Sequence, residues 1–130
     1  MNTVIQKFGP WTELLGRSFL AAIFVLAGYS KIGGYEGTQA YMASMGVPGE
    51  LLPLVILVEL GGGLLIVLGL FTRFSALALA GFSILSGLLF HGSPEEQTQL
   101  LKNLAIAGGF LYLFAQGAGR ISLDRRLGRS

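Results

Sequence analysis

Apolar residues fall in four long blocks along this chain, and most polar positions lie between them. The first block is Leu14–Ser30, broken by Arg17 near its start. The second is Leu51–Leu70, opened by Pro48 and Pro53 and carrying Glu59 in its middle. The third is Phe74–Phe90. The fourth starts around Thr98 and ends near Ala118. A helix needs about 20 residues to cross a bilayer, so blocks one and three take in flanking polar residues or meet a locally thin membrane. Lipid offers the backbone no hydrogen-bond partner, so each block is expected to be one complete helix. Pro10 ahead of the first block, with Thr12 as its cap, suits a helix start there.

The connections differ in kind. Phe71-Thr72-Arg73 is a tight link, and residues 91–97 form a polar turn. Residues 31–50 are longer, and Tyr35, Tyr41, Met42 and Met45 mark one face of a short interfacial helix within them. Gly46-Val47-Pro48-Gly49 ends that helix. The pattern therefore predicts an all-α membrane protein, one domain over residues 1–130. It is a four-transmembrane-helix bundle with spans near 14–30, 51–70, 74–90 and 98–118 and a tail at 119–130.

Composition agrees: 52% of residues are hydrophobic, 12% are charged, and mean hydropathy is +0.67. The expected environment is a lipid bilayer. The net charge of +2 is small, and the basic residues form no stripe with interleaved aromatics, so nucleic acid is not an expected partner. With no cysteine and one histidine, disulfides, thiolate metal sites and a three-histidine zinc site are excluded, and no metal site is assigned. The first thirteen residues lack a signal-peptide pattern, so the first block is expected to remain in the mature protein.

Charge sets the orientation. With both termini cytoplasmic, that side carries Lys7, Arg17, Arg73, Arg120, Arg125, Arg126 and Arg129. The other side carries Lys31 and Lys102, together with Glu36, Glu50, Glu95 and Glu96. Ala76 and Ala80, Ser83 and Gly87, and Ala105 and Gly109 are small-xxx-small pairs that would let helices approach closely. A weak repeat relates Glu59, Gly62-Gly63 and Arg73 to Lys102-Asn103, Gly108-Gly109 and Arg120.

Glu59 lies roughly 12 Å below the outer boundary, at 1.5 Å of helix rise per residue. An ionised carboxylate facing lipid there would cost several kcal/mol, so it should face the bundle, paired or protonated. The topology brings Lys31, His91, Lys102 and Asn103 to the same half. Such a convergence is a candidate ligand or proton-relay site. The plainer reading is a buried ion pair that only orients the helices, with a net gain near zero. In that reading Lys31 and Lys102 snorkel to the headgroups and Asn103 makes an interhelix hydrogen bond. Gly61, Gly62 and Gly63 remove side chains just below Glu59, for a neighbouring helix or a flat ligand. At the inner side, Arg17, Arg73, Arg120 and Asp124 form a second group with structural or lipid-contact roles. Arg17 snorkels there, or pairs with Asp124 if the tail folds back.

In their order along the chain these residues resemble the DoxX family of small bacterial inner-membrane proteins. The elements are Arg17, then Gly28-Tyr29-Ser30-Lys31, Met45-Gly46-Val47-Pro48, Glu59 with Gly62-Gly63, and Gly69-Leu70-Phe71-Thr72-Arg73. Phe90-His91, Lys102-Asn103-Leu104 and Gly117-Ala118-Gly119-Arg120-Ile121-Ser122-Leu123-Asp124 follow. Ala118 departs from the pattern, because many members carry proline there, which would loosen the turn. The resemblance implies a four-helix membrane bundle in the bacterial inner membrane. The family is named after a subunit of a thiosulfate:quinone oxidoreductase, which implies a link to redox complexes. Fold analogy alone does not carry function.

Three functions are compatible with these residues. One is an accessory subunit of a redox-associated complex that binds quinone or another lipid-soluble ligand around Glu59. Donors at Lys102, Asn103 and His91 would meet a quinone carbonyl, and Glu59 would exchange a proton. The chain offers no haem-ligand pair, cluster cysteines or flavin fingerprint, so it is at most a subunit of an oxidoreductase. No catalytic residue and no covalently bound cofactor is assigned, and a partner protein would supply the redox centre. The second is a proton-coupled transporter of a small solute, which at this size calls for a homodimer. The third is a non-catalytic scaffold docking through residues 31–50 and the basic tail.

Overall fold

The protein is described by a computed structural model over residues 2–128; Arg129 of the basic tail lies outside the described residues. Every regular element among these residues is helical, with no strand among them. Helix α1, Asn2–Gly33, begins well ahead of the predicted start and has Pro10 inside it. Thr12 is no cap. Its hydroxyl donates to the carbonyl of Phe8 at 3.0 Å, a bond within the helix. The helix extends because Val4, Ile5, Phe8 and Trp11 keep the polar start of the chain apolar at helical spacing.

Helix α2, Tyr35–Ser44, is the short helix expected in the long connection. Its inward face differs from the prediction. Met42 is buried, but Tyr41 and Met45 are exposed. Tyr35, Thr38, Gln39 and Met42 are the less exposed positions, at i, i+3, i+4 and i+7. Gln39 Nε2 donates to the carbonyl of Gly49 at 3.1 Å and ties α2 to the start of the next span.

That second span is composite. A 3₁₀ turn at Gly49–Leu51 leads into α3, Leu52–Ile56. A π-helical turn follows at Leu57–Gly61, and then α4, Gly62–Leu68. The expected uninterrupted α-helix is thus bulged by one turn, at the position of Glu59. Gly69, at φ 69°, ends it in the left-handed conformation. Helix α5, Thr72–Phe90, and helix α6, Gln97–Gln116, form an antiparallel hairpin. A single turn, α7 at Leu123–Arg126, closes the tail.

Among the described residues, three helices are long and apolar enough to cross a membrane: Thr3–Gly33, Gly49–Leu68 and Thr72–Phe90. Helix α6 is as long, at 20 residues, but opens on Gln97, Gln99, Lys102 and Asn103 and falls short on apolarity. Helix α1 packs on α4 and the π turn, and α5 packs on both α4 and α6. The core joins Ala21 and Phe24 of α1 with Ile66 of α4, Ala76, Leu79 and Ala80 of α5, and Ala107 and Phe110 of α6. The Phe24 ring meets Phe110 edge-on at 5.5 Å and Phe82 at 6.3 Å. Large apolar side chains such as Phe19, Leu57, Phe74 and Tyr112 point outward, as a lipid-facing surface requires.

Two of the three small-residue pairs are buried, Ala76 with Ala80 and Ser83 with Gly87, whereas Ala105 is exposed. In the proposed repeat Gly63 and Gly109 are counterparts, and both face α1: a Cβ on Gly63 would lie 2.8 Å from Val25 Cγ2, and one on Gly109 would lie 3.1 Å from Leu20 Cδ1.

Candidate functional site

Glycine fixes the approach of α1 to the composite helix. A Cβ on Gly28 would lie 2.8 Å from the backbone nitrogen of Leu60, and one on Gly63 would lie 2.8 Å from Val25 Cγ2. Only hydrogen at these positions lets the two backbones come so close. Among the glycines below Glu59, Gly63 therefore accommodates α1. Of the three, only Gly63 is sterically required, since Gly61 and Gly62 have room for a Cβ.

This approach brings the last turn of α1 to Glu59. Lys31 Nζ lies 2.8 Å from Glu59 Oε1, with the Glu59 side chain 7% exposed and that of Lys31 27% exposed. The ammonium meets Oε1 as an ion pair without hydrogen-bond alignment. Among the described residues, Lys31 is the polar side chain in contact with this carboxylate. The π turn aims Glu59 inward, and such bulges are frequent at functional positions.

The pair stands at the wall of a cavity of about 480 Å³. Lys31, Glu59, His91, Lys102 and Asn103, the five residues singled out from the sequence, all border it. Phe24, Met42, Val58, Phe82 and Ile106 make its apolar walls. Tyr41 of α2 stacks on Phe90 of α5 over one side, with ring centres 5.6 Å apart.

The five do not form one network. Asn103 Nδ2 donates to the carbonyl of Ser83 at 3.1 Å and to Ser86 Oγ at 3.3 Å, joining α6 to α5. His91 Nδ1 contacts the Glu96 carboxylate. Lys102 makes no ion pair among the described residues, so α6 does not bring it to Glu59 as the sequence had suggested; α1 brings Lys31 instead. Sequence reasoning missed Ser83 and Ser86 as polar wall residues. Their i, i+3 spacing opposite Asn103 was the available signal. The Ser83 hydroxyl is buried without a hydrogen-bond partner.

Chemically, the cavity sets cationic and amide donors and one buried carboxylate into apolar walls. It can hold an apolar body and hydrogen-bond a polar head. No group of three or more metal-ligating side chains occurs among the described residues.

The second cluster, at the other end of the bundle, is a clamp. Arg17 is buried, and its guanidinium donates to the carbonyls of Ala118 at 2.7 Å, Ile121 at 3.0 Å and Val67 at 2.9 Å. The tail does fold back, but Arg17 holds it through backbone carbonyls. Asp124 accepts from the backbone nitrogens of Phe71 and Thr72, each at 2.8 Å, and so caps the start of α5. The Asp124 nitrogen donates to the carbonyl of Gly69 at 2.8 Å. Arg120 pairs with Glu13 at 3.3 Å on the surface, and Arg73 is exposed.

The chain matches the DoxX family over residues 12–92. It is 50% identical to the inner membrane protein YqjF of Escherichia coli (strain K12), with 96% of this chain and 98% of that protein aligned. It is 37% identical to the inner membrane protein YphA of the same organism, over 97% of this chain and all of that protein (100%). A third relative is CatD of Bacillus subtilis (strain 168), provisionally named an oxidoreductase. It is 40% identical over 60 residues, covering 46% of this chain and 45% of CatD. No solved structure matches the chain.

Proposed function

We propose that this chain, which belongs to the DoxX family, is an inner-membrane protein whose outer-half cavity binds a small lipid-soluble ligand such as a quinone. It serves there as an accessory subunit of a redox-associated complex. The observation that carries this reading is that all four long helices bring polar groups to one apolar cavity, with Glu59 at its wall. A quinone matches that chemistry, with an apolar body for the walls and carbonyl oxygens for Lys102 and His91, and for the Asn103 amide once it exchanges its long 3.3 Å bond to Ser86. The provisional oxidoreductase name of CatD favours a redox setting. A partner would carry the redox centre, because the chain has no cysteine to hold a cluster.

In this reading α6 is the fourth span, and both termini lie in the cytoplasm. Its polar opening is tolerated because Asn103 and Lys102 face α5 and the cavity. Support comes from the distribution of basic residues, with Arg17, Arg73, Arg120, Arg125 and Arg126 gathered at the end of the bundle that holds the tail. The absence of cysteine makes the topology directly testable. A single cysteine at Ser122 should label only from the cytoplasmic side, and one at Ser93 only from the opposite side; labelling from one side in both variants defeats the four-span arrangement.

The binding claim is tested with decylubiquinone, titrated calorimetrically into the full chain in nanodiscs, with empty nanodiscs subtracted. Saturable binding that Glu59→Gln and Asn103→Leu both weaken supports the site. Binding indifferent to both substitutions, or none at all, removes it.

A further inference from the structure

The polar groups around the cavity are unequally matched. Lys31 is neutralised by Glu59 at 2.8 Å, and His91 contacts Glu96. Asn103 is occupied by Ser83 and Ser86. Lys102 borders the same cavity and has no carboxylate within ion-pair distance among the described residues. The charged lining residues Lys31, Glu59 and Lys102 therefore sum to one uncompensated ammonium. A cation at the rim of an apolar cavity favours an anionic head over a neutral one.

The rest of the cavity says what the head should be attached to. Helix α5 packs on α4 and the π turn, while α3 packs on α1 and α2. The composite helix and α5 thus part toward the outer side. Leu54 on one flank and Leu85 and Leu89 on the other line the cavity and are also exposed, at 57%, 57% and 44%. The apolar lining is continuous with the lipid-facing surface, so a ligand body can extend from the cavity into the bilayer.

We propose that the preferred ligand of this cavity is a membrane-dissolved weak acid: a single apolar chain or ring carrying a carboxylate or phenolate that pairs with Lys102. This rests on the reading of the cavity as a ligand site and narrows its ligand class. The Lys31–Glu59 pair forms the neutral floor beside the head, and the Leu54–Leu85 gap takes the tail.

The probes are labelled dodecanoate and dodecanol, which differ in the charge of the head, with decylubiquinone as a neutral third. Binding is measured by scintillation proximity on the full chain in zwitterionic nanodiscs at neutral pH, with empty nanodiscs subtracted. Dodecanoate should bind about tenfold more tightly than dodecanol, the size of one hydrogen bond to a charged group. Lys102→Gln should bring dodecanoate down to the level of the alcohol. Lys102 is exposed, so the exchange leaves the fold intact. Leu85→Trp, which fills the gap, should weaken both alkyl probes. Equal binding of acid and alcohol, or a preference untouched by Lys102→Gln, overturns the proposal; decylubiquinone binding in the same sample then leaves the wider site standing. If none of the three probes binds, both readings fall.

Discussion

Gly28 and Leu60 set the distance between α1 and the composite helix: a Cβ on Gly28 would stand 2.8 Å from the Leu60 backbone nitrogen and 2.9 Å from its Cβ. One turn further along α1, the same approach delivers Lys31 to Glu59. Packing and electrostatics here depend on one missing methyl group. Gly28→Ala should therefore cost about 1–3 kcal/mol, the usual range for forced overpacking. Gly61→Ala, with its nearest contact at an ordinary 3.7 Å, should cost nothing measurable. Reversible denaturation in mixed micelles, followed by circular dichroism, compares the two; equal effects would mean that the close approach is not limiting.

The ion pair is asymmetric, and its variants should be too. Glu59 is buried, whereas the Lys31 side chain stays partly exposed. Lys31→Met strands a carboxylate among apolar groups and should destabilise by about 3 kcal/mol. Glu59→Leu leaves a lysine that can turn to the headgroups and should cost well under half of that. The double variant Lys31→Met/Glu59→Leu should recover most of the loss, because a buried pair adds little over apolar replacements. A double variant as unstable as Lys31→Met alone would show that the pair itself holds the helices.

The Arg17 clamp calls for a planar fork. One guanidinium spans three carbonyls, from α4 and from two places in the tail. A lysine ammonium in the same space cannot reach all three in the right directions. Arg17→Lys should cost about 2 kcal/mol, from buried carbonyls left unpaired. It should also free the tail. Limited proteolysis after Arg125 and Arg126 measures that release, and an unchanged cleavage rate would place the tail's attachment elsewhere, at Asp124.

The apolar blocks made the helices legible in the sequence, and the rarity of buried charge made Glu59 legible as a cavity residue. Helix ends were less so. Pro10 and Thr12 read as a start signal, yet both lie inside α1, because the apolar spacing of Val4, Ile5, Phe8 and Trp11 outweighs one proline. The π turn at Leu57–Gly61 leaves no local mark, since it arises from how the composite helix fits α1. Which cation would meet Glu59 was also hidden. Lys31 and Lys102 are equivalent by topology, and the choice is made by Gly28, a residue whose contact lies 32 positions away in the chain, at Leu60. The composition of α6 is the other ambiguity. Its polar opening reads as a weak span in isolation and as a cavity wall once α5 lies against it.

Asn103 offers a way to separate structure from binding at that wall. It makes two interhelix hydrogen bonds, at 3.1 Å and 3.3 Å, to the Ser83 carbonyl and the Ser86 hydroxyl. Hydrogen bonds between membrane helices contribute only about 0.6 kcal/mol each on average. The Ser83 carbonyl keeps its partner within α5, and leucine has nearly the shape of asparagine. Asn103→Leu should therefore cost no more than about 1 kcal/mol. Gly87→Ala is the matching steric control. Its added Cβ would lie 3.1 Å from Asn103 Cβ and 3.1 Å from Leu100 Cδ1, and so would push α5 from α6 without removing a polar group. If the cavity binds a ligand through its polar wall, Asn103→Leu loses affinity out of proportion to its stability. Gly87→Ala should lose stability out of proportion to affinity. Measuring denaturation and decylubiquinone binding on both variants gives four numbers, and proportional losses in the two would reduce Asn103 to a helix-packing residue.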